Sequence, residues 1–231
     1  MHPVICTVGP FSVYSWGLMV ALGFLAGLAV AMRYAAYESI KQETILDLFM
    51  YVVISAIAGA RLLYVAAFFN DYKGNLISIF YVNQGGLVYL GGLLGVLAAT
   101  AVYVRYHRVN IWKLLDVFSP ASMIGYAIGR IGCFLNGCCY GIKLFGIEQP
   151  TQIYSSISGL AIFAVLVLLY KKKRYDGQIF LITLLLYSIY RFFIEFLRYS
   201  PVHVFIFTWN QLLAVIMFII SSYALWKKST T

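Results

Sequence analysis

Seven apolar runs, each long enough to cross a lipid bilayer, constrain this chain more than any other feature. They lie at about 12–34, 44–69, 86–105, 113–139, 152–170, 177–198 and 209–226. At a rise of about 1.5 Å per residue, each covers the roughly 30 Å of a hydrocarbon core. An isolated span in lipid must satisfy its own backbone polar groups. A helix does so, whereas a barrel strand would show only about ten alternating residues. The expected fold is therefore all-α, a polytopic membrane helical bundle of about seven transmembrane helices. Composition agrees, since 62% of residues are apolar and 11% charged, far from the roughly 45–50% and 25% of soluble globular chains. Seven spans of about 22 residues leave no room for a separate water-soluble domain, so residues 1–231 are expected to form a single integral membrane domain.

The net charge of +9 is read by where the charges fall along the spans, and no nucleic-acid partner is expected. Arg33 and Lys41 follow the first run, Arg105, Arg108 and Lys113 the third, Lys171, Lys172, Lys173 and Arg174 the fifth, and Lys227 and Lys228 the seventh. Only Lys73 and Lys143 fall in the opposite connections. Cytoplasmic loops hold the excess of Lys and Arg, which predicts the N-terminus outside and the C-terminus in the cytoplasm. MHPVICTVGPFSVYSW lacks the basic start of a secretory signal, so the first run is expected to be a permanent helix. Trp16, Trp112, Trp209 and Trp226 near run ends fit an aromatic belt. Asp47 and Asp116, near the starts of the second and fourth runs, fit helix-dipole capping. Gly23, Gly27, Gly85, Gly86, Gly91, Gly92 and Gly95 favour close helix packing.

Four basic residues remain, Arg61, Arg130, Arg191 and Arg198, and all lie inside or at the edge of a run. A mid-bilayer arginine costs at least about 2.5–3.5 kcal/mol, so it needs a partner, a wet cavity or a function. Helix rise places Arg61, Arg130 and Arg191 roughly 21–26 Å from the inner boundary, with Arg198 at the outer edge. That is the level of outer-leaflet phosphates. Tyr187, Arg191, Glu195 and Arg198 share one helical face. Their planar guanidinium forks, with Arg130, suit a phospholipid head group while Glu195 orients one of them. The alternative is an Arg–Glu network that locks helices together.

Cys133, Cys138 and Cys139 crowd the end of the fourth run in GRIGCFLNGCCYG, with Cys6 near the N-terminus. The C-x4-C-C spacing, without a companion histidine or second pair, is a weak zinc signature, and no metal is expected. The thiols remain open to a disulfide, to a role as small packing residues, or to reactivity beside Arg130, whose charge lowers a thiol pKa. His2, His107 and His203 all fall outside the runs, so no general base is evident at the arginine level. No nucleotide loop is visible and no cofactor is expected.

From GRIGCFLNGCCYG outward the chain resembles the prolipoprotein diacylglyceryl transferase family, integral enzymes of the bacterial cytoplasmic (inner) membrane. The resemblance takes in GPFSVYSWGL, GARLLYV at 59–65, GGLVYLGGLLG at 85–95, QPTQIY at 149–154, GQIFLITLLLYSIYRFFIEFLR at 177–198 and Asn210-Gln211. It implies transfer of a diacylglyceryl group from phosphatidylglycerol to the lipobox cysteine thiol of a preprolipoprotein signal peptide, with glycerol 1-phosphate released and a thioether left. The active site would face the outer leaflet and no cofactor would be used. By this resemblance Arg130, Arg191 and Glu195 are catalytic. Arg130, Arg61, Tyr187, Arg198, Asn136 and Gly141 bind substrate.

Leu90 stands where the family carries a histidine proposed to help deprotonate the thiol. Trp16 stands for the motif tyrosine, Cys133 for an asparagine and Cys138 for a glutamate. These departures leave two alternatives: a divergent paralogue using its own cysteines on another acceptor, or a non-catalytic phospholipid-binding or transport protein.

Overall fold

The structure is a computed structural model that describes residues 3–8, 11–81, 85–144, 146–199, 203–204 and 207–230. His2 lies outside the described residues. Among the described residues seven α-helices follow one another: α1 (Ser15–Tyr37), α2 (Gln42–Ala67), α3 (Tyr89–His107), α4 (Ile111–Asn136), α5 (Thr151–Tyr170), α6 (Gln178–Ile194) and α7 (Trp209–Thr230). Two short 3-10 turns, Phe69–Tyr72 and Leu76–Phe80, separate α2 from α3, and a third, Glu195–Leu197, extends α6. Six helices are apolar and long enough to cross a membrane. The other, α4, has 26 residues and carries Lys113, Asp116 and Arg130. The protein is thus an all-α, multi-pass membrane protein. Its exposed aliphatic residues, such as Leu213, Ile216 and Ile219 on α7, are those of a lipid-facing surface.

Three small antiparallel hairpins were not visible in the apolar pattern. β1 (Val4–Val8) pairs with β2 (Phe11–Tyr14), β3 (Lys143–Leu144) with β4 (Ile147–Glu148), and β5 (His203–Val204) with β6 (Phe207–Thr208). They precede α1, α5 and α7. The first run therefore begins its helix at Ser15 rather than 12. The fourth ends at Asn136 rather than 139, which leaves Cys138 and Cys139 in the connection.

Two compact units divide the chain, Met1–Tyr34 with Trp112–Thr231, and Ala35–Ile111. In the larger, α1 and α4 approach at glycine: a Cβ on Gly23 would lie 3.0 Å from the Gly125 carbonyl, and one on Gly27 3.1 Å from that of Ala121. Asp116 is completely buried. It caps α6 rather than its own helix, accepting from Gly177 N–H at 2.7 Å and Phe180 N–H at 2.9 Å while pairing with Lys173 at 3.1 Å. A carboxylate there complements the positive end of the α6 dipole. The sequence places Asp116 six residues into α4, too late to cap that helix.

In the smaller unit α2 and α3 pack through facing glycines. A Cβ on Gly91 would collide with the Gly59 carbonyl, and one on Gly95 with the Ser55 carbonyl. Backbone contact this close leaves no volume for a side chain. Gly95→Val is expected to push the helices apart and cost about 1–3 kcal/mol. Gly17→Ala, where nothing lies within 4 Å, should leave thermal unfolding in detergent unchanged.

Candidate functional site

The larger unit gathers most of the expected site residues around the C-terminal ends of α4 and α6. Arg130, half-buried on α4, sits with its guanidinium carbon 5.0 Å from the centre of the Tyr126 ring. One helical turn separates the two, so the ring lies along the arginine's own face. Among the described residues no carboxylate pairs with Arg130. Tyr126 meets α6 through hydroxyls. Tyr126 and Tyr190 lie 3.0 Å apart at their oxygens, Tyr190 donates to Ser155 Oγ at 2.5 Å, and Ser155 donates to the Thr151 carbonyl at 2.5 Å. Because the Tyr190 proton goes to Ser155, the Tyr126 hydroxyl is the donor to Tyr190. Tyr187 completes the cluster, edge-on to Tyr126 with centroids 5.9 Å apart. Tyr126, Tyr190 and Ser155 were missed by sequence reasoning. The only available signals were the four-residue spacing of Tyr126 from Arg130 and the adjacency of Tyr190 to Arg191.

At the end of α6, Arg191 pairs with Glu195 at 3.2 Å, and the Glu195 side chain is 1% exposed. The other carboxylate oxygen accepts from Asn210 Nδ2 at 2.9 Å and from Thr208 Oγ1 at 3.2 Å. Thr208 is held in turn by Gln211, which accepts the Thr208 N–H at 2.9 Å while its own N–H donates to Thr208 Oγ1 at 3.2 Å. This reciprocal pair is a capping box at the start of α7. The Asn210-Gln211 dipeptide thus fixes the helix that holds Glu195, and Glu195 fixes Arg191. The carboxylate, ion-paired to Arg191 through Oε2 and hydrogen-bonded by two donors at Oε1, orients the arginine.

Arg198 lies just past the 3-10 turn and bridges Gly141 as an isolated β-pair. The Ile142 N–H donates to the Leu197 carbonyl at 2.9 Å, and a Cβ on Gly141 would strike that same carbonyl. Gly141 therefore lets the connection after α4 lie against the end of α6. Asn136 is the exposed last residue of α4. Cys133, Cys138 and Cys139 converge in the same region with their sulfurs within 4.8 Å of one another. No bond joins any two of the four cysteines, and the sulfurs of Cys138 and Cys139 lie 3.6 Å apart. The reactive reading is weakened at Cys139. Desolvation, with the hydrogen bond to and charge of Cys138, pushes its thiol above the ordinary range against the pull of Arg198 and Arg130.

Arg61 belongs to the smaller unit, where its guanidinium meets four backbone carbonyls. The residue is 8% exposed. Nε donates to the Ile79 carbonyl at 2.7 Å, Nη1 to Gly85 and Gly86 at 2.8 and 3.1 Å, and Nη2 to Ser78 at 2.8 Å. Its five-donor fork thus ties the α2–α3 connection to α2. Gly85 and Gly86 both hold positive φ, 84° and 73°, which turns their carbonyls toward that fork. Arg61→Ala is expected to destabilise the protein by about 2–3 kcal/mol, and Arg61→Lys to recover less than half of that because an ammonium lacks the fork. Denaturation in detergent measures both.

A cavity of about 430 Å³ lies between α5 and α6, walled by Ile162, Leu186, Ile189, Phe193 and Ile194 and touched by Tyr190. Its apolar lining suits hydrocarbon, and Tyr190 joins it to the hydroxyl chain beside Arg130.

The fold and site define a multi-pass membrane protein in which Arg130 lies beside a tyrosine cluster that reaches an apolar groove. The chain belongs to the prolipoprotein diacylglyceryl transferase family, whose family model matches residues 3–227. It is 35% identical over 218 residues to the phosphatidylglycerol–prolipoprotein diacylglyceryl transferase of Clostridium kluyveri, covering 86% of this chain and 85% of the relative. The enzyme of the same name from Finegoldia magna is 34% identical, covering 88% and 86%. That of Clostridium botulinum strain Loch Maree is 34% identical over 240 residues, covering 96% and 94%.

Proposed function

We propose that this protein transfers a diacylglyceryl group from phosphatidylglycerol to the lipobox cysteine of a preprolipoprotein signal peptide in a bacterial inner membrane. The observation that carries the reading is Arg130, half-buried beside Tyr126 with no carboxylate partner among the described residues. Such a charge calls for an anion, and a phosphodiester matches its planar fork. Arg130, with Arg198 and Tyr187, binds the head group near Asn136 and Gly141. The apolar groove between α5 and α6 takes an acyl chain. Arg191, held by Glu195, stabilises the charge that develops on the leaving phosphate. The acceptor thiolate attacks the glyceryl carbon, the carbon–oxygen bond to phosphate breaks, and glycerol 1-phosphate departs with the electron pair. The basic residues of the connections support an N-terminus outside, a cytoplasmic C-terminus and a site facing the outer leaflet. One family model covering residues 3–227 supports a single functional membrane domain over 1–231. Arg61 is assigned to the scaffold.

A second reading, a phospholipid-binding protein without transfer, is favoured by Leu90. It stands 54% exposed where the resembled family carries a histidine. The two readings separate in one assay, in which purified protein is mixed with phosphatidylglycerol and a lipobox peptide and released glycerol 1-phosphate is quantified. Release that needs the peptide's cysteine, and stops when that cysteine is serine, supports transfer. Bound lipid with no release supports the second reading.

A further inference from the structure

Cys133, Cys138 and Cys139 have no part in the chemistry above, yet the backbone is shaped to bring them together. α4 ends at Asn136, and Gly137 and Cys139 then take φ of 77° and 65°. The chain folds back so that the Cys138 N–H donates to the Cys133 carbonyl at 3.1 Å. A cysteine in left-handed conformation costs on the order of 1 kcal/mol and persists only where its surroundings hold it. They do so here from α5. Thr151 Oγ1 donates to the Cys139 carbonyl at 2.8 Å, and Gln152 Nε2 to the Cys138 carbonyl at 2.5 Å. Gln152 is completely buried, and its amide oxygen has no donor among the described residues. The result is a supported turn with three sulfurs within 4.8 Å of one another, those of Cys138 and Cys139 being 3.6 Å apart.

We propose that Cys133, Cys138 and Cys139 form a three-thiolate site for zinc(II). A Zn–S bond of about 2.3 Å places tetrahedral ligands about 3.8 Å apart, so the sulfur pairs need close by no more than about 1 Å. Soft thiolates select zinc among the common divalent ions. A disulfide would use two of these sulfurs and leave the third without a role, whereas a metal uses all three. Zinc with three thiolates carries one net negative charge. Loading releases the three thiol protons to solvent. The fourth tetrahedral position stays open to water or to a thiol from outside, which would bind as thiolate. That last consequence rests on the proposed transfer activity; metal binding itself does not.

The test uses the full chain in detergent, stripped with chelator, kept anaerobic and reduced, then loaded with zinc(II) alone and desalted. About one zinc per chain is expected, with Cys133, Cys138 and Cys139 protected from alkylation and Cys6 still reactive. The triple variant Cys133→Ser, Cys138→Ser, Cys139→Ser should lose the metal, while Cys6→Ser keeps it. Cobalt(II) loading of the unaltered protein gives a readout independent of variant folding, namely thiolate-to-cobalt charge transfer with the visible bands of a tetrahedral ion. Zinc below about a tenth per chain in the unaltered protein, or undiminished in the triple variant, would overturn the proposal. So would two thiols blocked without metal and recovered by reductant, which would mark a disulfide. None of these readouts depends on lipid transfer.

Discussion

Replacing Arg130 with alanine is expected to slow diacylglyceryl transfer by about 10²–10³-fold, the usual consequence of removing one donor from a developing anion. The expectation rests on what Arg130 does in the free protein. It stands half-buried against Tyr126, with no carboxylate to neutralise it among the described residues. Removing it breaks no ion pair, and Tyr126 keeps its hydroxyl contact with Tyr190, so folding should be little affected. Arg130→Lys keeps the charge but loses bidentate geometry, and should fall between the two. The measurement is product formation at saturating phosphatidylglycerol, with monodispersity in detergent as the folding control. A structural role for Arg130 would reverse the pattern, giving a destabilised protein of normal specific activity.

Glu195→Ala is expected to act on stability, by about 3–5 kcal/mol, because deleting one member of a buried ion pair leaves the other uncompensated. Three groups lose their partner at once, namely Arg191, Asn210 and Thr208. Glu195→Gln retains an acceptor for Asn210 and Thr208 and should recover part of the loss. It should not restore transfer, since the charge that fixes Arg191 is gone. Thermal unfolding and transfer rate, measured on both variants, separate these effects. Equal rates for Glu195→Gln and the unaltered protein would remove Glu195 from the positioning of Arg191.

The helices were legible because a bilayer imposes length and apolarity over some twenty residues, a pattern too long to miss. The hairpins were not, because the strands of β3–β4 and β5–β6 have two residues each and carry no usable alternation. The Arg191–Glu195 pair could be read from a four-residue spacing, since both ends lie on one helix. Arg61 could not be understood that way. Its partners are backbone carbonyls 17 to 25 residues away, and a carbonyl leaves no mark in a sequence. The same limit hid Tyr190, which reaches Tyr126 across 64 residues. The cysteines fall between these cases. Their crowding was visible, but their convergence depends on α4 stopping at Asn136 and on a left-handed Cys139, neither of which the apolar run disclosed.

Mass spectrometry of a lipobox peptide incubated with the purified protein and phosphatidylglycerol separates transfer from binding alone. Transfer predicts a mass increase equal to one diacylglyceryl group on the cysteine sulfur, stable to reductant as a thioether is, and absent with Arg130→Ala. An unmodified peptide in the presence of protein-bound phosphatidylglycerol would contradict it.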